Sequence, residues 1–269
     1  ISGNEIRLFT SFLMDRLNIT RVERMEDDEY IVVFKRTTNM LILNEGELIL
    51  ALVQEFQMRT VTVSLDEQSF DSIIQIISGA SILVSMHGAQ MITSMFLPRG
   101  AAVIELFPYA INPQQYTPYK TLASLPGMDL QYVAWRNTIK KNTINYPDPP
   151  WDQGGIVHLE KEEQKRILAS KEVPRHLCCH NPWWLFRIYH DTTVDIASFL
   201  DVVKKILKTK PNLKKSVVAS TLHAGRVQEP RCQTLLQATN EAKLSLSWII
   251  PCNLYYLKVK EVKYDVWIQ

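Results

Sequence analysis

Three polar residues that are far apart in the chain each stand at or near the end of a predicted strand: Arg36, His87 and Glu105. A guanidinium can donate two parallel hydrogen bonds to a diphosphate, and an imidazole adds a further donor. A carboxylate near a strand end accepts hydrogen bonds from the ribose hydroxyls in nucleotide-binding folds. Taken singly, each residue also fits a structural role, as a surface arginine, a capping histidine or a carboxylate paired with a base.

The segment His87-Gly88-Ala89 precedes a predicted helix over 89–96. The N-terminus of a helix offers unpaired N–H groups and a partial positive charge, which suit a phosphate. Gly88 would let a ligand approach the backbone closely, whereas its structural alternative is a tight turn. The spacing by itself does not choose between these two interpretations.

These residues depend on the elements that position them, and over the first 135 residues apolar runs alternate with helical patterns. This order predicts parallel strands joined by right-handed crossovers, which is a doubly wound α/β layer. Ligands of such sheets bind outside the carboxyl ends of the strands, so the topology would bring the three polar residues to one edge. The predicted strands are 30–34, 60–64, 81–85, 101–106 and 130–135, and the predicted helices are 5–17 after an Asn4 cap, 48–53 after an Asn44–Glu47 capping box, and 69–79.

After Trp135 the pattern changes. A loop over 138–156 and helices over 159–169 and 194–207 complete a first predicted domain, 1–207, and a basic linker follows over 208–218. Residues 219–269 alternate polar and apolar side chains, which predicts antiparallel strands. Their Trp, Pro and Tyr-x-Val pattern resembles a fibronectin type III sandwich, of which about half the usual ~100 residues are present.

The composition excludes several classes of protein. The 269 residues carry 30 Lys+Arg and 28 Asp+Glu, a net charge of +2 that argues against a polybasic nucleic-acid binder. The chain has no run of roughly 18 apolar residues that would span a bilayer. The chain lacks G-x-G-x-x-G, the P-loop and G-x-S-x-G. These motifs are the signatures of dinucleotide-binding oxidoreductases, of P-loop kinases and of hydrolases with a nucleophile elbow.

Cysteine usage and a sequon give weaker indications. Cys178 and Cys179 are adjacent, a spacing that fits a structural zinc site poorly, so we expect no metal centre there. Together with Cys232 and Cys252 the four cysteines leave three disulfide pairings open, and Cys178 and Cys179 are either in a disulfide or two buried thiols. Asn18-Ile19-Thr20 predicts an N-glycosylation site and hence the secretory pathway. We also expect the chain, which lacks an initiator Met, to be part of a longer protein.

The residues Ser85 to Gln90, followed by Phe96-Leu97-Pro98 and Ala102 to Leu106, resemble the glycosyltransferase family that holds the EGF-domain O-GlcNAc transferase and the plant xylan-decorating transferases. Arg36 with Leu41 to Glu45 fits the same pattern. Two further segments, 116–120 and 151–155, are most similar to family members that act on O-linked mannose.

The resemblance implies an inverting enzyme of the GT-B fold, of which this chain is the C-terminal, donor-binding lobe. It implies transfer of GlcNAc from UDP-GlcNAc in β-1,4 linkage to O-mannose on a glycoprotein such as α-dystroglycan. No metal cofactor is expected. We expect a protein on the lumenal side of the endoplasmic reticulum, held as a single-pass type II membrane protein by an N-terminal anchor absent from this chain.

Carried over by residue, the resemblance assigns donor contacts to six positions. Arg36 and His87 would contact the diphosphate, Gly88 and Ala89 would offer backbone groups, Glu105 would hold the ribose, and Asn44 belongs to the matching motif. The catalytic base is not identified. The family pattern has a second arginine where this sequence has Met40, so the alternative function is an inactive sugar-nucleotide-binding or scaffold paralogue.

Overall fold

The computed structural model describes residues 1–20, 29–208, 228–236 and 242–249. The chain divides into two compact units, Ile1–Val217 and Val218–Gln269. The first unit contains the central sheet and every candidate site residue. The second contains a strand pair and is described separately below.

The first unit is built on a five-stranded parallel sheet in the order β2-β1-β3-β4-β5. The three inner strands are buried along their whole length because helices cover both faces, which explains their continuous apolar runs. The predicted doubly wound α/β layer is confirmed. The strands are β1 (Tyr30–Phe34), β2 (Arg59–Val63), β3 (Ile82–Met86), β4 (Ala102–Phe107) and β5 (Gln131–Arg136).

The strand order changes direction between β1 and β3, since β2 lies on one side of β1 and the chain then returns to the other side. At such a switch point the loops after the two strands separate and leave a crevice at the carboxyl edge. Arg36 follows β1 and His87 follows β3 directly. The fold therefore places both residues at this crevice.

Helices pack on both faces of the sheet and form two apolar cores. Leu48 and Phe199 belong to the core on one face, whereas Met14 and Ile74 belong to the core on the other. The α-helices are α1 (Gly3–Arg16), α2 (Glu45–Phe56), α3 (Phe70–Ser78), α4 (Pro118–Ala123), α5 (Lys161–Ala169), α6 (Pro182–Ile188) and α7 (Ile196–Lys208).

The start of α1 differs from the prediction. Ser2, not Asn4, caps the helix in a capping box: the Glu5 backbone N–H donates to Ser2 Oγ at 3.3 Å and the Ser2 N–H donates to Glu5 Oε2 at 2.6 Å. Asn4 instead accepts a hydrogen bond from Arg99. A Ser-x-x-Glu box satisfies two helix-end donors at once, so it outcompetes a lone asparagine.

The predicted helix over 89–96 is a 3₁₀ helix, Ala89–Phe96. The Met91 N–H donates to the Gly88 carbonyl at 3.0 Å, which is the i→i−3 pattern. The Thr93 hydroxyl donates to the Gln90 carbonyl at 2.7 Å and so competes for an acceptor that an α-helical ladder would use.

A region of short elements follows the sheet. Strands β6 (Thr143–Ile144) and β7 (Asp191–Thr192) pair antiparallel, and 3₁₀ turns occupy Lys140–Asn142, Trp151–Gln153 and Arg175–Leu177. Cys178 and Cys179 form a disulfide between adjacent residues, which is one of the pairings that the sequence left open.

The second unit contains an antiparallel pair, β8 (Gln228–Leu236) and β9 (Ala242–Ile249), with a register shift between Gln228 and Arg231. The alternation at 244–249 thus predicted an antiparallel strand correctly. Residues 209–218 of the predicted linker and the predicted strand at 262–268 lie outside the described residues. Within the described part of the chain, no helix is both long and apolar enough to cross a membrane.

Candidate functional site

The carboxyl edge of the sheet brings the arginine and the His87 turn into contact. A Cβ atom built on Gly88 would lie 3.0 Å from Arg36 Nη1 and 2.8 Å from Gln90 Oε1. Arg36 therefore lies directly against the backbone of the turn, and glycine provides the room that this approach needs. Since His87 in turn contacts Glu105, the three predicted residues form one cluster.

The Arg36 guanidinium is oriented by three hydrogen bonds. Its Nε donates to the Asn39 carbonyl at 2.9 Å, Nη2 donates to Asn39 Oδ1 at 2.6 Å, and Nη1 donates to Gln90 Oε1 at 2.6 Å. A guanidinium has five N–H groups, so one remains on each terminal nitrogen. Burial lowers the pKa of Arg36, but the group stays charged at neutral pH. The two remaining donors suit a fork onto an anion.

His87 is held by a buried carboxylate. Its Nδ1 contacts Glu105 Oε1, and the Tyr132 hydroxyl donates to the other carboxylate oxygen at 2.5 Å. Burial, followed by the charge of Glu105, raises the pKa of Tyr132, so its hydroxyl stays a donor. This contact fixes the ring orientation through Nδ1, and the His87 side chain is 13% exposed.

This geometry gives Glu105 a role other than the predicted contact with ribose. The residue is fully buried and both carboxylate oxygens have side-chain partners. In this arrangement Glu105 is a positioning residue for His87. A direct contact with ribose would require these two partners to be replaced.

Aromatic rings surround the histidine. The His87 ring centroid lies 5.0 Å from Phe107, 5.8 Å from Tyr119 and 6.0 Å from Trp184. Tyr119 belongs to α4 and Trp184 to α6, two short helices that the sequence analysis did not predict. Their signals were present, since each has proline at its first position and Asn181 caps α6 through the Trp183 N–H.

Asn44 has structural partners. Its Oδ1 accepts from the Val194 N–H at 2.8 Å and its Nδ2 donates to the Val194 carbonyl at 2.9 Å. The predicted capping box is wrong, because the Asn44 side chain makes no capping hydrogen bond and, within α2, donates only to the Glu47 side chain. Asn44 thus ties the start of α2 to the segment before α7. Its contact with a donor stays a prediction that this geometry does not favour.

The other predicted positions are distributed as follows. Ala89 is exposed at the start of the 3₁₀ helix, where the first N–H groups have no intrahelical partner. Asn18 is exposed just after α1, and its glycosylation stays a prediction. Met40 is only 4% exposed and packs in the core that α2 and α7 share. Asn39, Gln90 and Tyr132 were not predicted as site residues, because a neutral residue in a loop, a short helix or an edge strand carries no pattern.

Among the described residues, no group of three or more His, Cys, Asp or Glu side chains is placed to hold a metal ion. A cavity of about 120 Å³ lies beside the arginine and is lined by Arg36, Gln90, Thr37 and Asp66, among others. The arrangement as a whole offers two oriented cationic or hydrogen-bonding side chains and a helix start. These are the groups that bind a phosphate.

Residues 2–104 match the family described as glycosyltransferase 61. The family resemblance inferred from the sequence motifs is confirmed. Along all 269 residues the chain is 81% identical to the protein O-linked-mannose beta-1,4-N-acetylglucosaminyltransferase 2 of Danio rerio, and covers 46% of that protein. It is 66% identical over 280 positions to the protein of the same name from Takifugu rubripes, covering 48% of it, and 59% identical to that of Homo sapiens, covering 46%. The chain thus spans about half the length of the curated relatives it matches.

Proposed function

We propose that this chain is the donor-binding lobe of an inverting transferase that moves GlcNAc from UDP-GlcNAc in β-1,4 linkage to O-linked mannose on a glycoprotein. The contact of Arg36 with the His87-Gly88 turn carries this proposal, because it gathers the phosphate-binding groups at the switch point of the sheet. The names of the relatives support the choice of sugar and of acceptor linkage.

The chemical role of the cluster follows from its charges. Departure of UDP leaves negative charge on the β-phosphate, which oriented donors stabilise in a site that excludes water. Arg36 offers its two remaining N–H groups and His87 presents Nε2, while Glu105 holds the imidazole through Nδ1. These groups would stabilise the leaving diphosphate without a metal ion. The base that activates the mannose hydroxyl is not among the residues assigned here.

Three finer points belong to the same proposal. We expect the acceptor to be an O-mannosylated glycoprotein such as α-dystroglycan, and the protein to act in the lumen of the endoplasmic reticulum. Its β8–β9 pair would be part of a fibronectin type III sandwich. The antiparallel pairing of these two strands agrees with that type of module, but it is common to many β-folds.

The alternative of an inactive paralogue was motivated by Met40. The Met40 side chain is buried in the apolar core rather than presented at the Arg36 cluster. Nothing in the described structure therefore marks this residue as a lost phosphate contact. We retain the transferase as the proposed function.

The test is UDP binding, measured by calorimetry on the intact protein. Arg36→Gln removes both remaining donors, so we expect at least a tenfold loss of UDP affinity, which corresponds to about 1.4 kcal/mol. The matched control is Arg99→Gln, because Arg99 is an exposed arginine whose partners, Asp129, Gly127 and Asn4, lie away from the cluster. Absence of UDP binding, or equal affinity in the Arg36 variant, would refute the proposal.

Transfer itself is measured with UDP-GlcNAc and an O-mannosyl peptide as acceptor. The intact protein is expected to form a GlcNAc-β-1,4-mannose product, and the Arg36 variant is expected to form it more slowly. UDP binding without any transfer would favour the inactive alternative.

A further inference from the structure

A cavity of about 240 Å³ lies on the other side of the Arg36 loop. Three aromatic side chains form part of its lining: Tyr146, Phe186 and Tyr189. The polar side chains that line it are those of Thr38, Asn39, Gln153 and His190. Within the described chain, its lining contains no Asp, Glu, Lys or Arg. We propose that this cavity binds a single neutral pyranose ring.

The cavity leads from the surface into the interior. Gln153 and Tyr146 are exposed, whereas Phe186 and His190 at its inner end are buried. Gly154 packs tightly on α6, since a Cβ atom there would lie 2.8 Å from the Leu185 carbonyl oxygen. Aromatic surfaces together with neutral hydrogen-bonding groups suit a sugar, which has apolar C–H faces and a rim of hydroxyls.

His190 is the polar group in this lining that most needs a partner. It is only 1% exposed, and neither ring nitrogen has a hydrogen-bond partner in the described structure. Its contact with Phe186 is edge-on, with ring centroids 4.7 Å apart. A buried polar group without a partner is costly, and such groups are rare in native proteins. A hydroxyl group of a ligand is a partner that the cavity can admit.

The size and charge of the cavity restrict the ligand. Pockets for drug-sized ligands are ~300–1,000 Å³, so this smaller cavity suits one ring rather than a whole nucleotide. Burial lowers the pKa of His190 to about 3, and the charge of Arg187 adds to this effect. The imidazole is therefore neutral at physiological pH, and the lining offers no charge to an anionic ligand.

Asn39 connects the cavity to the Arg36 cluster. It lines the cavity and also accepts two hydrogen bonds from Arg36, through its carbonyl and its side-chain oxygen. A ring bound here would lie next to the diphosphate contact. The choice of a sugar over another neutral ring rests on the proposed function, and the ring is either the GlcNAc of the donor or the mannose of the acceptor.

Three ligands separate these sources in calorimetry on the intact protein: UDP, UDP-GlcNAc and methyl α-mannopyranoside. His190→Phe removes both nitrogens and keeps an aromatic ring of similar shape. We expect this variant to lower the affinity for one of the two sugar-containing ligands at least tenfold and to leave the affinity for UDP unchanged. A loss of affinity confined to UDP-GlcNAc would assign the cavity to the GlcNAc of the donor. A loss of affinity for the mannoside would assign it to the mannose of the acceptor.

A second variant keeps the proposal testable if His190→Phe does not fold. Gln153→Ala changes an exposed side chain of the lining, and Gln75→Ala, on the exposed face of α3, is its matched control. We expect Gln153→Ala to lower the affinity for the same sugar-containing ligand several fold, and Gln75→Ala to leave that affinity unchanged. Equal sugar binding by wild type and both cavity variants, or no sugar binding by wild type, overturns the inference. UDP affinity tests the proposed function separately.

Discussion

Acid should destabilise the folded protein through His190. Burial lowers the pKa of this histidine from its ordinary value of 6.5 to about 3 in the folded chain, with a smaller contribution from Arg187. Between these two values the unfolded chain binds a proton that the folded chain does not. Stability therefore falls as the pH is lowered through this window and is unaffected by His190 above it.

The size of the effect follows from the same pKa difference. One pKa unit corresponds to about 1.4 kcal/mol, so lowering the pH from 7 to 5 should reduce the free energy of unfolding by about 2 kcal/mol. At pH 5 the result hardly depends on the folded pKa as long as it stays below about 4. Other titrating groups add their own contributions, which a matched variant must cancel.

The assay is urea unfolding of the intact protein and of His190→Phe, each at pH 7 and pH 5. The variant cannot take up the proton, so it should lose about 2 kcal/mol less than wild type between the two pH values. At pH 7 it should be at least as stable, because it removes a buried polar group without a partner and the cavity of about 240 Å³ has room for the larger ring. Equal pH dependence in both proteins would refute the reasoning.

Two further predictions concern the Arg36 cluster. Glu105→Gln keeps the shape but replaces the carboxylate that holds His87 Nδ1 with a neutral amide, which orients the ring less firmly, so calorimetry should show UDP affinity lower by about tenfold; unchanged affinity would contradict the positioning role. Gly88→Ala places a Cβ 3.0 Å from Arg36 Nη1 and should displace the guanidinium, so we expect the affinity for UDP to fall several fold. Gly100→Ala is its control: Gly100 also has positive φ but open space around it, so the substitution should cost about 1 kcal/mol of stability and leave UDP binding intact.

The fold could be predicted from the sequence to the extent that burial leaves a pattern. The inner strands are covered on both faces, and their apolar runs, such as Tyr30–Phe34, are therefore continuous. Helix α6 was missed because its seven residues are almost all apolar and show no helical period. The 3₁₀ geometry of Ala89–Phe96 left no signal in the sequence, because its apolar spacing also fits an α-helix.

The candidate site was predictable only up to the residues at the strand ends. Arg36 and His87 follow β1 and β3, and the parallel topology alone brings them to one edge. The partners of Glu105 depend on the register of β3, β4 and β5, which pairs Tyr132 with Val103 and so leaves its hydroxyl within reach of Glu105. No periodicity in the sequence carries that register, so the carboxylate was assigned to a ligand rather than to His87.

The loop after β1 separates two kinds of binding environment. Arg36 keeps two N–H donors that an anion could accept, whereas Asn39 lines a cavity without charged side chains. Because Asn39 accepts two hydrogen bonds from Arg36, a ligand that holds Asn39 in place also holds the guanidinium. A sugar in the cavity would thus help to fix the arginine, so binding of a sugar and of a diphosphate should each strengthen the other.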